Sequence, residues 1–216
     1  MEIIKPLITQ IDRAETLRYA GLSRDKTWQP ELLDKACMQL LSTAEPQFVY
    51  RIATHHEQVI DGKYCYSSQA LQRHLRQSKQ VVLLAGTLGQ AVDELGDRLF
   101  AAGEYTTAVL ANAAATALIE QAADYAQQLI TKLYLHKRGL RLGSRFSPGY
   151  ADWPLTEQRE FFALLATDKI RLSLHESLSL VPKKSITAVI PILTGTCDDI
   201  SEGCRNCSAR QCEYRK

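Results

Sequence analysis

The strongest constraint on this fold is a helical stretch from about Tyr105 to Leu135. Its middle, Ala111-Asn112-Ala113-Ala114-Ala115-Thr116-Ala117-Leu118, is small and strongly helix-forming. Small residues let such a helix approach another backbone closely. Glu120 and Asp124 are four apart and share one face of it. From spacing alone that pair reads as a solvated stripe. His136-Lys137-Arg138 and then Gly139 terminate the helix, with the cations at the favourable end of its dipole.

Shorter helices precede it. Asp12 is expected to cap a first one through about Tyr19, with Glu15 at capping-box spacing and Gly21 at the end. Pro30 suits a first helical position, and Leu33, Ala36, Cys37 and Leu40 then share a face, so Cys37 reads as core. Residues 68–76 and 90–100 read as helices, as does an apolar run capped by Thr156 that carries Phe161 and Phe162.

Strand signals lie between these helices. Residues 47–54 alternate large apolar groups at Phe48, Tyr50 and Ile52. His55 and His56 follow on opposite faces and are expected at an exposed strand end. Val81–Ala85 reads as a buried strand that Gly86-Thr87-Leu88-Gly89 turns out of. Ile170–Leu174 and Ile186–Leu193 complete a set of about five strands. Strands and helices do not alternate regularly, so the expected class is α+β rather than a doubly wound sheet.

Bulk properties restrict the function. Hydrophobic residues make up 45% and charged residues 23%, and the formal net charge is only +2. These are values of a soluble globular protein rather than a nucleic-acid polycation. No apolar run approaches a membrane span, and the start Met-Glu-Ile-Ile-Lys-Pro lacks a secretory core. A cytoplasmic location, with no membrane partner, is expected.

The stretch Arg141-Leu142-Gly143-Ser144-Arg145-Phe146-Ser147-Pro148-Gly149-Tyr150 has the composition of a small-ligand loop. Gly and Pro set an irregular backbone. Arg can clamp a carboxylate or phosphate through parallel hydrogen bonds, and Tyr150 offers an aromatic face. A surface connection with solvated Arg is the other reading of the same composition.

Arg145-Phe-Ser-Pro-Gly149-Tyr150 matches an Arg-x-x-x-Gly-Tyr motif. Thr156-Glu157, an apolar helix, Leu174-His-Glu176-Ser177 and Pro182-Lys-Lys-Ser185 follow in order. Over about residues 140–193 this series resembles the activation (reactivation) domain of cobalamin-dependent methionine synthase. The resemblance implies a twisted antiparallel sheet with long helices. It also implies binding of S-adenosylmethionine at the Arg-x-x-x-Gly-Tyr loop. Where that family continues with Pro-x-Cys-Pro-Asp-His, this chain has Ala151-Asp152-Trp153-Pro154-Leu155. It also has no cobalamin-binding Asp-x-His-x-x-Gly motif and no barrel for homocysteine or folate. It is therefore similar to stand-alone versions of the domain. The resemblance then implies action on the cobalamin of a separate methionine synthase or other corrinoid protein, with an electron donor as a further expected partner.

The resemblance assigns cofactor-binding roles to Arg145, Ser147, Pro148, Gly149 and Tyr150. Arg145 suits the ligand carboxylate, Gly149 permits close backbone approach, and Tyr150 can cover the adenosyl or sulfonium group. An acidic residue on the preceding helix, Glu120, is expected at the ammonium, with Glu176 as a second candidate. No catalytic side chain is implied. One-electron reduction of Co(II) to Co(I) creates the nucleophile that takes the methyl group, and the protein positions the reactants and excludes water.

The domain is expected to span residues 1–195, with a Cys-rich tail over 196–216. Cys197, Cys204, Cys207 and Cys212 have C-x6-C-x2-C-x4-C spacing, which suits zinc or an iron–sulfur cluster. A cluster would carry electrons to cobalt. Two other functions fit part of the sequence. A nucleic-acid module could use His136, Lys137, Arg138, Arg141 and Arg145 with the tail as a zinc knuckle, though near-neutral charge and 7% aromatics argue against it. A methyltransferase with another acceptor would lack the Gly-rich turn of the common methyltransferase fold.

Overall fold

A computed structural model of the chain describes residues 3–22 and 30–194. The Cys-rich tail lies outside the described residues. The central strand is β5 (Gln80–Thr87), apolar from Val81 to Ala85 because both its faces are covered. It pairs antiparallel with β2 (Gln47–His56) on one side and β9 (Ser185–Thr194) on the other. The short strands β1 (Ile3–Ile4), β3 (Val59–Ile60), β4 (Tyr64–Cys65) and β6 (Leu140–Leu142) extend the sheet, in the order β4-β3-β2-β5-β9-β6 with β1 also on β2. Every pairing is antiparallel. A separate hairpin joins β7 (Ser173–Leu174) to β8 (Leu180–Val181).

Helices cover both faces. Phe48, Val82, Leu84, Ala188 and Ile190 point into one core with α1 (Arg13–Tyr19), α2 (Pro30–Thr43), α4 (Gln90–Ala101) and α5 (Tyr105–Ile130). Val49, Ala53, Leu83 and Val189 point the other way, against α3 (Gln69–Leu75), α6 (Gln158–Leu164) and Trp153. This is the α+β class expected, with a core on each side of one sheet.

The 26-residue α5 buries a stripe of alanines at 108, 111, 114, 115, 122 and 126. They let it lie closely against the helices and sheet beneath. A π-helical turn (Thr131–Leu135) and a 3-10 turn (His136–Arg138) carry it on to Gly139 at φ 63°. Asp12 caps α1, accepting from Glu15 N at 3.0 Å. Glu15 does not complete a capping box. Its carboxylate binds Arg18, and the Asp12 N–H goes to Gln121 of α5.

Three local expectations change. Residues 167–170 form a 3-10 turn, so only Ser173–Leu174 remain of the strand expected at 170–174. Thr156 sits inside a 3-10 turn and caps nothing. His55 is buried rather than at an exposed strand end. Its Nδ1 lies 2.7 Å from Ser78 O and its Nε2 lies 2.8 Å from the Tyr66 hydroxyl.

Gly86 pairs with Phe48 across β2–β5, where an added Cβ would come 2.2 Å from the ring. Phe48 is fully buried and cannot swing away. Gly86→Ala should therefore destabilise the fold by about 2–3 kcal/mol through overpacking. Chemical denaturation of the variant measures this, and a loss under 0.5 kcal/mol (about the scatter expected for surface changes) would contradict it.

Candidate functional site

The ligand-loop candidate runs from the end of β6 into the turn Ser147–Tyr150. It is laid along the edge of β9. Gly143 N donates to Pro191 O at 2.9 Å, and Phe146 and Val189 exchange backbone bonds of 3.0 and 2.8 Å. A Cβ at Gly143 would meet Pro191 Cγ at 2.7 Å, so the backbone can run this close only with glycine there. Phe146 stacks on Trp153, with centroids 5.7 Å apart and planes at 6°, and on His74 at 5.1 Å.

The turn closes on itself. Tyr150 N donates to Ser147 O (3.2 Å), Trp153 N to Tyr150 O (3.0 Å), and Gly149 N to Trp153 O (2.8 Å). Gly149 sits at φ +96°, where side chains are strained. Pro148 is buried behind it, and Tyr150 projects with 63% of its surface exposed.

Arg145 reaches back to α5. Its Nη2 donates to Glu120 Oε2 at 2.6 Å and its Nη1 to Asp124 Oδ1 at 2.7 Å, and Nη1 also donates to Gln127. Glu120, Asp124 and Gln127 recur at helical spacing and form one face, so a single guanidinium fork bridges them. Burial by itself would lower the Arg145 pKa. The two carboxylates outweigh it, and the guanidinium is held above its ordinary value. The acidic pair read from spacing as a solvated stripe is thus still open to water, but it also serves as a counter-ion platform for Arg145. The resemblance assigns Arg145 to a ligand carboxylate and Glu120 to its ammonium. Here those two side chains bind each other.

Glu120, Ser147 and Tyr150 line a groove of about 290 Å³. Its far wall is the turn from β8 into β9, at Lys183, Lys184 and Ser185. That turn follows the cis Val181–Pro182 bond, and several hydrogen bonds hold it. Ser185 Oγ donates to Pro182 O (2.6 Å), Lys183 N donates to Asp93 Oδ2 (2.8 Å), and Leu88 N donates to Lys184 O (2.9 Å). Buried Thr187 and Gln158, bonded at 2.8 Å, form part of the lining. Partial burial and then Glu120 raise the Tyr150 hydroxyl above its ordinary pKa. A larger hollow, about 390 Å³ between residues 5–7 and 45–47, shares none of these residues.

Glu176 is not part of this wall. It is exposed in the β7–β8 hairpin turn, and only Leu180 of that hairpin lines the groove. Lys184, Thr116 and Gln158 line it without having been singled out from sequence. Only the Pro-Lys-Lys-Ser turn carried a signal for the lysine. Cys197, Cys204, Cys207 and Cys212 lie outside the described residues. Among the described residues no cluster of three or more His, Cys, Asp or Glu could hold a metal, and no helix is long and apolar enough to cross a membrane.

Ala151-Asp152-Trp153, where the chain departs from the methionine synthase pattern, has a structural task. Asp152 accepts from Ser68 Oγ (2.6 Å), Gln69 N (2.8 Å) and Ala70 N (3.0 Å), holding the start of α3. The Ser68 hydroxyl first, and then the N–H groups of Ala70 and Gln69, hold its carboxyl below the usual carboxylate range. A carboxyl depressed on folding adds stability that is present above its unfolded pKa and is lost as pH falls through its folded one. Wild type should therefore be more stable than Asp152→Asn by a constant margin above about pH 5, and the margin should shrink below about pH 4. Melting curves from pH 7 to 3 check this, and a margin that does not change with pH would refute it.

The architecture defines an antiparallel α+β domain with a polar groove between its longest helix and one sheet edge. Among solved structures, the chain shares the fold of the MetH reactivation domain crystallised with S-adenosylhomocysteine. The TM-score is 0.66 at 17% identity, covering 88% of this chain and 77% of that one. No family model matches the chain, and no curated protein matches it.

Proposed function

We propose that this chain binds S-adenosylmethionine in the groove between α5, the Ser147–Tyr150 turn and the Pro182–Ser185 turn. The observation that carries the proposal is the Arg145 clamp on Glu120 and Asp124, beside an exposed aromatic ring on a glycine-dependent turn. The clamp sets a carboxylate at the groove wall, where it suits an ammonium or sulfonium group. In this reading the exposed Tyr150 ring covers the adenosyl part or the sulfonium. The fold shared with a domain crystallised with S-adenosylhomocysteine supports the same reading.

In this proposal the chain supports reductive methylation of oxidised cobalamin on a separate methionine synthase or other corrinoid protein. The bound ligand supplies the methyl group, and a reduced corrinoid of the partner accepts it. This chain's residues do no proton chemistry. They position the sulfonium and exclude water. The tail cysteines 197, 204, 207 and 212 would hold an iron–sulfur cluster or zinc, the cluster serving as the electron route.

Calorimetry with S-adenosylmethionine tests the binding step, with saturable heat at one site per chain expected. No heat at millimolar ligand would overturn it. Cobalt methylation on a Co(II) corrinoid protein, followed spectroscopically with a chemical reductant, tests the partner. Methyl transfer to a different acceptor, with none to cobalt, would replace that part of the proposal. An iron and sulfide assay after anaerobic purification tests the tail for a cluster.

A further inference from the structure

Arg145 has three of its five N–H donors committed to α5, and its charge is met by two carboxylates. The groove has another cation that no carboxylate of the described residues pairs in a salt bridge. Lys184 Nζ donates to the neutral Thr116 hydroxyl at 2.9 Å, and Thr116 Oγ1 in turn donates to Asn112 O at 3.1 Å. The Thr116 hydrogen is therefore spent on the helix, and its lone pair fixes one corner of the ammonium. Two further ammonium hydrogens remain.

Lys184 is half-buried, and among the described residues no salt bridge pairs it with an acid. Asp93 is the acid that acts on it, and the Asp93 carboxylate already accepts from Lys183 N. Burial pulls the Lys184 pKa below the usual lysine value, and Asp93 restores part of it. The other charged groups along the groove are Lys183, Glu120 and, behind Glu120, Arg145. The groove is thus bipolar, with a carboxylate on one side and an under-compensated ammonium on the other. Thr116 and Glu120 are one turn apart on α5, so the anchors of the two charges lie roughly 5–6 Å apart along the helix. That spacing suits the two ends of a zwitterionic amino acid.

We propose that Lys184, steadied by Thr116, receives the carboxylate of the ligand's amino-acid moiety, and that Arg145 acts by positioning Glu120 for the ammonium. This rests on the S-adenosylmethionine reading above. It assigns the carboxylate to a side chain of the Pro-Lys-Lys-Ser turn instead of the Arg-x-x-x-Gly-Tyr loop.

The test compares S-adenosylmethionine with its decarboxylated form, which keeps the ammonium, sulfonium and adenosine. Affinities for both are measured by calorimetry at low salt on the full chain. The wild type should prefer the carboxylate-bearing ligand by roughly tenfold to a hundredfold. Lys184→Met should collapse that ratio toward one while leaving affinity for the decarboxylated ligand nearly unchanged. That unchanged affinity also shows that the variant is folded. Lys184→Arg should restore most of the ratio. Arg145→Met should weaken both ligands about equally and keep the ratio. A ratio that survives in Lys184→Met, or collapses in Arg145→Met, overturns the lysine assignment and leaves S-adenosylmethionine binding standing. Binding of neither ligand by the wild type overturns both.

Discussion

Arg145→Met should lower affinity for S-adenosylmethionine on the order of tenfold to a hundredfold, with a smaller loss of stability. The guanidinium is the counter-ion for Glu120 and Asp124, which sit one turn apart on α5. Without it, two like charges face each other and Glu120 is free to turn toward water. Both carboxylates are substantially exposed, at 41% and 62% of their side-chain surface, so the stability loss should stay near 1 kcal/mol. Binding suffers more, because the ammonium site loses its position. Arg145→Lys keeps the charge but not the planar fork that spans three α5 side chains. It should recover stability and leave binding weak. Calorimetry and thermal melts on both variants separate the effects, and affinity of Arg145→Met within threefold of wild type would remove Arg145 from the site.

Trp153→Ala should produce the largest stability loss, about 3–5 kcal/mol. The indole is almost fully buried. It stacks on Phe146, contacts Phe161 with centroids 5.8 Å apart, and donates to the Tyr64 hydroxyl at 2.9 Å. Its backbone also closes the Ser147–Tyr150 turn. The cavity left behind would undercut both the second core and the loop that forms one groove wall. For a chain of this length the melting temperature should fall by roughly 6–20 °C. Trp153→Phe, which keeps the stacked ring and loses only the N–H, should fall far less. Equal losses in the two variants would mean that the hydrogen bond to Tyr64, and not the stack, dominates.

These residues divide between what a linear pattern can carry and what it cannot. Alternation at Phe48, Tyr50 and Ile52 and the apolar run at Val81–Ala85 predict β2 and β5, and the structure has them. Both patterns are local, since side chains on a strand alternate faces whatever the tertiary context. His55 was legible as a face assignment and misread as exposed. Which face is covered depends on Tyr66 and Ser78, brought in by other segments.

The same limit applies at the groove. The spacing of Glu120 and Asp124 put them on one face of α5. Their partner lies 25 and 21 residues further on, and no periodic signal links them to it. Lys184 is separated from Thr116 by 68 residues. Asp152 and Trp153 looked like departures from a motif, and became a helix anchor and a core residue only when α3, Phe146 and Tyr64 were in place.

By itself, then, the sequence determined the helix and strand periods, the α+β class, the glycine- and proline-bearing loop over residues 141–150 and the acidic face of α5. All of these follow from backbone geometry within a few residues. Only the tertiary structure decided that Arg145 is spent on that acidic face, and that Lys184 stands across the groove bonded to a neutral hydroxyl. Charges choose partners by distance in space, and that distance is set by how α5 packs beside β9.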